Sequence, residues 1–368
     1  MRVERAVLRV VEMPLKFVFR TSFGQTRAKR FLLLELSAGG LTGWGECVAE
    51  DEPFYSPETV GTATEALRRW LLPWLLGRDL ESPGDFEPVA ARVRGHRMAR
   101  AAVDMALHDL FARAAGVSLS RYLGGTRDAV EVGVSLGIRP TVREAVEDVA
   151  RHVGQGYRRI KLKIEPGADV ERLAAVREAF PGIVLTADAN AAYRLEDAPH
   201  LARLDAFRLD YLEQPLHHED LLDHAELSRR ISTPVCLDES IRSEADVRLL
   251  LALGAGKVVN VKAGRVGGFV EALRIHALSA GAGLPLWCGG MLESGVGRAH
   301  NVALASLPGF TKPGDTASSS RYFDEDLVEP PLEAVDGLMP VPPGPGIGVD
   351  VRPRVLDRFT LSREEVAP

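Results

Sequence analysis

Five short apolar runs between residues 158 and 262, each closed by an ionisable residue, decide the fold of this chain: RRIKLK (158–163), GIVLTAD (182–188), LDYLE (209–213), PVCLD (234–238) and VVNVK (258–262). Their last residues are Lys163, Asp188, Glu213, Asp238 and Lys262, at steps of 25, 25, 25 and 24 residues. One strand, one crossover helix and two loops require about this interval, so the runs predict repeated βα units with parallel strands. In a barrel of such units, the carboxyl ends of the strands meet at one mouth, where these five side chains would converge.

The same alternation of strand and helix continues on both sides of this stretch. Strands are predicted at 130–137, 158–164, 183–189, 209–214, 234–239, 257–262 and 284–289, which makes seven βα units. We expect Gly290, the segment SSSRYF (318–323) and the tail after 321 to complete the circuit. The predicted fold class is therefore α/β, with a barrel at its centre.

The first part of the chain has a different pattern. Strand-like runs at 3–15 and 30–40, joined by KFVFRTSFGQTRAK (16–29), precede LTGWGECVAE (41–50) and predict an antiparallel meander. Helical patterns follow at 57–76 and 86–116. We expect an α+β domain at 1–125, a catalytic barrel at 126–320, and a C-terminal tail at 321–368 that packs back on the first domain.

Composition restricts the possible partners. The 368 residues carry a net charge of −6 without a separate basic block, so nucleic acid is not an expected partner. The most apolar runs, FLLLEL (31–36) and WLLPWLLG (70–77), are far shorter than the roughly 20 residues that a membrane helix needs. Three widely spaced cysteines argue against a disulfide framework or a thiolate zinc site. We expect a cytoplasmic enzyme that acts on a small molecule and does not bind membranes.

Three carboxylates, Asp188, Glu213 and Asp238, end the third, fourth and fifth predicted barrel strands. Oxygen ligands without histidine or cysteine suit a hard cation, which favours Mg²⁺, with Mn²⁺ or another divalent cation as a substitute. The alternative is that each residue only caps the helix that follows it. Three such residues at equal spacing favour the metal site.

Two lysines, Lys163 and Lys262, end the second and sixth strands, half a turn apart in an eight-strand ring. A cation between them would bind a substrate carboxylate and stabilise the charge that appears when the adjacent carbon loses its proton. A lysine beside the cation, partly desolvated, would have a lowered pKa and act as a base. Two opposed lysines suit a racemase, and one base with one charge stabiliser suits a lyase.

Three further residues are predicted to support this site. Lys161 lies two residues before Lys163 and should share its face at a deeper level, unless it only pairs with a neighbouring carboxylate. Asn190 follows Asp188 by two residues, so by the same alternation it should face the cation site. Arg265 lies just beyond the sixth strand, where it would either lower the pKa of the strand-end lysine or remain a solvated loop residue.

Over its whole length the chain resembles the enolase superfamily, in which lysine bases and Mg²⁺ act together. Lys161-Leu-Lys163 is similar to the KxK motif of the muconate-lactonizing subgroup. This resemblance implies a modified TIM barrel, (β/α)7β, with an N-terminal capping domain.

The segments DEPFYSPET (51–59) and GGMLESGVGRAHNVALASLPGFTKPGDTASSSRYF (289–323) resemble the N-acylamino acid racemase and o-succinylbenzoate synthase family more closely. The resemblance implies racemisation of N-acylamino acids, dehydration in menaquinone synthesis, or both, in a homo-oligomer that is often an octamer. It also implies that Lys163 and Lys262 are catalytic, that Ser135, Gly290 and Met291 contact substrate, and that Arg265 is associated with racemase activity.

Two related activities remain as alternatives, those of a dipeptide epimerase and of a muconate-type cycloisomerase. Dipeptide epimerases hold a free substrate ammonium with an Asp-x-Asp pair, whereas FTKPGDT (310–316) offers only Asp315. A substrate without a free ammonium is therefore favoured, although Glu293 could replace the missing carboxylate.

Aromatic residues of the first domain are expected to complete the pocket. Phe19, Phe23 and Tyr55 fall on predicted loops, where large rings are not required for core packing. We expect them to close over the part of the substrate that does not react and to exclude water. The alternative is that they only pack one domain against the other.

Overall fold

The computed structural model describes residues 1–22 and 24–366 and begins with an antiparallel meander. Its strands are β1 (Arg5–Arg20), β2 (Gln25–Ala38) and β3 (Leu41–Cys47). Apolar side chains face the core in register, with Leu8 opposite Leu34 and Val11 opposite Phe31. The predicted meander is present, but its first two strands are longer than predicted. KFVFR and QTRAK belong to the strands themselves, because β1 and β2 pair again at Phe19–Thr26 and Arg20–Gln25 after a bulge that follows Pro14.

Helices of the first domain cover one face of this sheet. They are α1 (Val60–Ala66), a π-helical turn (Leu67–Leu71), α2 (Leu72–Leu75), a 3₁₀ turn (Pro83–Phe86), α3 (Glu87–Arg92), α4 (Arg97–Ala114) and α5 (Leu119–Tyr122). Helix α4 packs directly on β3, where Gly43 and Gly45 have no side chain to hold it away. A Cβ atom on Gly45 would lie 1.9 Å from the carbonyl oxygen of Ala102. The short strand-to-helix distance therefore depends on these glycines.

Seven parallel strands form the barrel wall in sequence order, as the repeat predicts. They are β5 (Gly133–Leu136), β6 (Arg159–Lys163), β7 (Val184–Asp188), β8 (Leu212–Glu213), β9 (Val235–Leu237), β10 (Val258–Val261) and β11 (Leu286–Cys288), and a short strand β4 (Ala129–Glu131) precedes them. Parallel register places Lys163 beside Asp188 and Asp188 beside Glu213. The strand ends that carry the ionisable residues are therefore level with one another.

Helices connect the barrel strands. They are α6 (Val142–Gly154), α7 (Val170–Ala179), α8 (Ala198–Leu201), α9 (Leu221–Arg230), α10 (Glu244–Leu253), α11 (Ala263–Val266), α12 (Phe269–Gly281) and α13 (Gly295–Ala305), with 3₁₀ turns at Leu195–Asp197 and Ala202–Phe207. None of the helices in the described part of the chain has the length and apolar character needed to span a membrane.

The barrel closes through residues 310–315, whereas Gly290, SSSRYF and the tail were expected to complete it. Phe310 bridges Leu286 on one side, and Gly314 bridges Val132 on the other. The backbone amide groups of Thr311 and Asp315 donate to the carbonyl oxygens of Leu286 and Cys288, at the two ends of β11. The segment contains proline and lysine rather than an apolar run, so only its backbone hydrogen bonds identify it as the closing element.

The remaining residues return to the first domain. They form α14 (Ser319–Tyr322), β12 (Val328–Glu329), β13 (Leu338–Pro340), β14 (Asp350–Val351), α15 (Pro353–Phe359) and β15 (Thr360–Val366). Strand β15 pairs antiparallel with β1 and becomes an edge of the meander. The domain boundaries at residues 125 and 320 remain a prediction from the sequence.

Candidate active site

A cavity lies at the carboxyl ends of the barrel strands, beneath loops of the first domain. Most residues predicted for the site line it: Phe19, Tyr55, Ser135, Lys161, Lys163, Asn190, Lys262, Gly290 and Met291. Lysines from the second and sixth barrel strand positions therefore reach one cavity. The predicted ligand residues Asp188, Glu213 and Asp238 are almost completely buried beside these lysines.

On one side of the cavity, Asp188 and the two lysines of β6 form a buried ion cluster. Lys163 Nζ lies 2.6 Å from Asp188 Oδ2 and 2.7 Å from Asn190 Oδ1. Lys161 is deeper, as its position in the strand predicts, and its Nζ lies 2.8 Å from Glu213 Oε2. Asn190 accepts from Lys163 through its Oδ1 atom, and its Nδ2 atom donates to Glu239 Oε1 at 2.8 Å.

On the other side, Asp238 lies between Lys262 and Arg265. Lys262 Nζ is 2.7 Å from Asp238 Oδ2, and the Arg265 guanidinium donates to Asp238 Oδ1. Arg265 also donates to the backbone carbonyl of Asn260 at 2.7 Å. It is only 5% exposed, so the possibility that it is a solvated loop residue is wrong.

The pKa values of the site follow from burial and from these ion pairs. Burial favours protonation of Asp188, but the ammonium groups of Lys163 and Lys161 outweigh it and hold the pKa of Asp188 well below its usual range. Burial and the charge of Asp188 raise the pKa of Glu213. Burial opposes the charged form of Lys262, yet Tyr55 and Glu239 outweigh it and raise the pKa of that lysine. At Lys262 the protein's own groups therefore shift the pKa in the direction opposite to the lowering that the sequence suggests.

The chemistry of the donor set fits a divalent cation. Asp188, Glu213 and Asp238 offer carboxylate oxygens from three adjacent strands, which is the ligand type of a hard ion. In the described part of the chain, no three acidic, imidazole or thiol side chains are grouped to hold a metal ion, because each carboxylate faces a cationic side chain instead. Side-chain rotation away from these ion pairs would therefore accompany cation binding.

Asp315, from the closing segment, lines the cavity. Its carboxylate accepts from Lys161 Nζ at 2.8 Å and from Arg159 Nη1 at 2.7 Å. Burial favours its protonation, but Arg159 and Lys161 outweigh it and hold the pKa of Asp315 well below its usual range. The aromatic face of Trp287 lies 4.5 Å from Lys161 Nζ and 5.0 Å from the Arg159 guanidinium carbon. The Asp315 carboxylate is therefore already paired with two cationic side chains of the protein itself.

The first domain reaches the cavity through two of the predicted aromatic residues. The Tyr55 hydroxyl oxygen accepts from Lys262 Nζ at 2.9 Å and from Arg265 Nη1 at 3.4 Å. Phe19 lines the cavity from the end of β1, where it pairs with Thr26, so its assignment to a loop is wrong. Phe23 lies outside the described residues.

Sequence reasoning missed several members of this site. Asn260 Nδ2 donates to Glu213 Oε1 at 2.8 Å, and its position two residues before Lys262 on β10 would have identified it by strand alternation. Glu239 follows the end of β9, where alternation no longer applies. Arg159 precedes Lys161 by two residues and shares its face, but its role depends on a carboxylate from the distant closing segment.

Comparisons with known proteins agree with this geometry. Residues 4–124 match the model of the mandelate racemase / muconate lactonizing enzyme N-terminal domain, and residues 144–355 match the enolase C-terminal domain-like model. An N-succinylamino acid racemase of Thermus thermophilus is 57% identical over 98% of each chain. An o-succinylbenzoate synthase of Geobacillus kaustophilus is 50% identical over 97% of this chain and 96% of its own. The crystal structure of an enolase superfamily member from Listeria innocua superposes with a TM-score of 0.96 at 41% identity, covering 100% of this chain and 99% of the other.

Proposed function

This chain belongs to the enolase superfamily, in its N-acylamino acid racemase and o-succinylbenzoate synthase family, and from that premise we propose that it abstracts the proton alpha to a carboxylate. The proposed reactions are racemisation of N-succinylamino acids and the dehydration that yields o-succinylbenzoate. The first makes the enzyme an isomerase, and the second makes it a lyase of menaquinone synthesis.

The placement of two lysines at one cavity is the observation that supports the proposal. Lys163 and Lys262 come from the second and sixth barrel strand positions and line the same cavity, with the carboxylates of the intervening strands between them. A substrate alpha carbon held between them would have one amine on each face. One lysine would remove the proton, and in racemisation the other would return a proton to the opposite face.

We propose that Asp188, Glu213 and Asp238 hold a divalent cation, as is typical of the superfamily, and that the cation is Mg²⁺. When bound, it would bind the substrate carboxylate and stabilise negative charge beside it. Lys161 and Asn190 would hold the neighbouring charges in position. The closed cap, with Phe19 and Tyr55, would exclude water from the reacting carbon.

The same residues serve both proposed reactions, so the balance between them depends on how the pocket holds each substrate. In the racemase both lysines exchange protons with substrate, whereas in the synthase Lys262 would remain an ammonium that stabilises charge. Arg265 contacts Asp238 and Tyr55, both of which contact Lys262, and is therefore positioned to influence that difference.

Dipeptide epimerisation is the less favoured alternative. Asp315 already pairs with Lys161 and Arg159, so it is a poor partner for a free substrate ammonium. Glu293 lines the cavity, but its Oε1 atom already accepts from Asn301 at 2.9 Å. A homo-oligomer and a cytoplasmic location are also part of the proposal, by resemblance to the family.

Proton NMR in D₂O tests the function directly. The protein with Mg²⁺ is supplied separately with the L and D forms of N-succinylphenylalanine, and the alpha-proton signal is followed. Loss of that signal from both enantiomers is expected. No exchange from either would exclude the racemase, and turnover of the synthase substrate and of dipeptides would then be measured in the same way.

A further inference from the structure

The cavity contains one buried cation whose charge the protein does not balance. Arg298 lies in the first turns of α13, is 2% exposed, and lines the cavity. Each cavity lysine, Lys161, Lys163 and Lys262, forms an ion pair with a carboxylate. Within residues 1–22 and 24–366, no carboxylate lies within ion-pair distance of Arg298. A buried charge without a counter-ion is costly, which suggests that a ligand supplies one.

The hydrogen bonds of Arg298 leave donors available. Its Nη1 atom donates to the backbone carbonyl of Ala317 at 2.6 Å, and its Nη2 atom donates to that of Glu293 at 3.0 Å. A guanidinium has five N–H groups, and the buried Nε atom has no partner. The guanidinium carbon lies 4.9 Å from the centroid of the Tyr322 ring, which packs against the group. The group is therefore rigidly held while part of its donor capacity is unused.

The carboxylates at the cavity have other partners, and Glu293 Oε1 accepts from Asn301 Nδ2 at 2.9 Å. Glu50 lies 3.6 Å from Lys29, and Asp315 pairs with Lys161 and Arg159. Arg298 is thus the cavity cation with capacity for an added anion, and a planar guanidinium suits a carboxylate.

We propose that Arg298 binds a second carboxylate of the substrate, at the end of its acyl arm. This inference rests on the proposed function and makes the enzyme selective for dicarboxylates. One carboxylate would lie at the reacting end of the cavity, near Lys163 and Lys262, and the other at Arg298. An N-succinylamino acid carries two such carboxylates, and so does o-succinylbenzoate, the product of the proposed dehydration.

A series of three substrates isolates the charge of the arm. N-succinyl-L-phenylalanine has the terminal carboxylate, its succinamoyl analogue replaces that group with a neutral amide of similar shape, and N-acetyl-L-phenylalanine lacks the arm. For the wild-type protein, we expect kcat/KM for alpha-proton exchange to be about 10- to 100-fold higher with the succinyl than with the succinamoyl compound, the effect expected of a charge-assisted hydrogen-bond pair. Equal values would overturn the proposal, whatever any variant does.

Substitution assigns the effect to the residue. Arg298→Met should remove the preference for the succinyl compound mainly through KM and change exchange of the acetyl compound much less, and Arg298→Lys should restore part of the preference. Arg127→Met is the matched control, because Arg127 also donates only to backbone carbonyls but lies outside the cavity.

The outcomes separate the two proposals. An equal loss with all three substrates in Arg298→Met, with no rescue by lysine, would assign Arg298 a structural role only. An unchanged succinyl preference in a folded Arg298→Met protein would show that another group binds the arm. Absence of exchange with every substrate in the wild-type protein would contradict the proposed function itself.

Discussion

The hydroxyl oxygen of Tyr55 lies 2.9 Å from Nζ of Lys262, so a loop of the first domain contacts a lysine at the end of the sixth barrel strand. The same hydroxyl is 3.4 Å from Nη1 of Arg265. Burial raises the pKa of Tyr55, and this effect exceeds the opposite effect of the two neighbouring cations. The phenol therefore remains neutral. The proposed base on this side of the cavity is therefore held by residues of both domains.

Replacing Tyr55 with phenylalanine tests this contact. Tyr55→Phe removes the hydrogen bond to Lys262 but keeps the ring, so we expect kcat for exchange to fall about tenfold, the order of one lost hydrogen bond. The melting temperature should change little. Tyr157→Phe, outside the cavity, serves as the control and should retain full activity. An equal effect on both enantiomers and on the melting temperature would instead indicate a general packing defect.

Each proposed base can be removed separately. Lys163→Ala and Lys262→Ala should each reduce racemisation by at least about 10²-fold, since general acid–base catalysis contributes 10² to 10⁴. Single-turnover exchange of the separate enantiomers in D₂O should show that each variant loses exchange preferentially with a different enantiomer. Lys257→Ala changes a lysine outside the cavity and should behave like the wild type. Identical enantiomer profiles for the two variants would contradict the two-base arrangement.

The metal ligands can be tested by binding rather than by activity. Chelation should abolish exchange, and Mg²⁺ should restore it. Glu213→Gln removes a charge from the proposed ligand set, so calorimetric titration with Mn²⁺ should show an affinity lower by about 100-fold or more. Asp210→Asn changes a carboxylate that pairs with Lys312 outside the cavity and should leave the affinity unchanged. Equal Mn²⁺ affinity in Glu213→Gln and the wild type would remove Glu213 from the ligand set.

Close packing of β3 against α4 predicts a stability effect. Gly45→Ala places a Cβ 1.9 Å from the Ala102 carbonyl oxygen, so the helix must move. We expect the free energy of unfolding, measured with urea, to fall by about 2 to 3 kcal/mol. Gly182→Ala adds a methyl group where no atom lies within 4 Å and should have little effect. A similar small effect at both positions would mean that the helix accommodates the methyl group.

Glu46 predicts a pH dependence of stability. Its carboxylate is completely buried and accepts from Ser294 and Gly297, and burial, with a further contribution from Glu293, raises its pKa from 4.5 to about 8. Between these values the folded protein keeps a proton that the unfolded chain has released. The free energy of unfolding should therefore fall as pH rises, by up to about 1.4 kcal/mol per pH unit.

Urea unfolding between pH 5 and pH 8 measures this slope. Glu46→Gln should flatten it, because the titrating group is gone, whereas Glu178→Gln, at an exposed position, should not. The same slope in Glu46→Gln and the wild type would show that other groups cause it.

The regular interval of strand-end residues was sufficient to predict the barrel and the side chains that meet at its mouth. Alternation along β6 correctly placed Lys161 deeper than Lys163 on the same face. The same rule on β10 would have identified Asn260. The positions of these residues can be predicted from the sequence because they depend on local backbone geometry.

Other features depend on contacts between distant parts of the chain. Asp315 pairs with Arg159, 156 residues away, and the closing segment has no apolar pattern. The extension of β1 and β2 is held by backbone pairing, while many of its side chains are at least partly exposed. Arg265 is buried with its Nε atom donating to the carbonyl oxygen of Ile241, 24 residues earlier in the chain, and its own sequence neighbours do not indicate that contact.

The pairing of β15 with β1 has a consequence for biosynthesis. The sheet of the first domain leaves the ribosome well before its edge strand, since Thr360–Val366 follows every barrel strand in the sequence. Until then, β1 presents an unpaired edge, which is a site for association with other chains. A shortened chain that ends after the barrel would keep this edge unpaired, so we expect it to associate with other chains more readily than the 368-residue chain does.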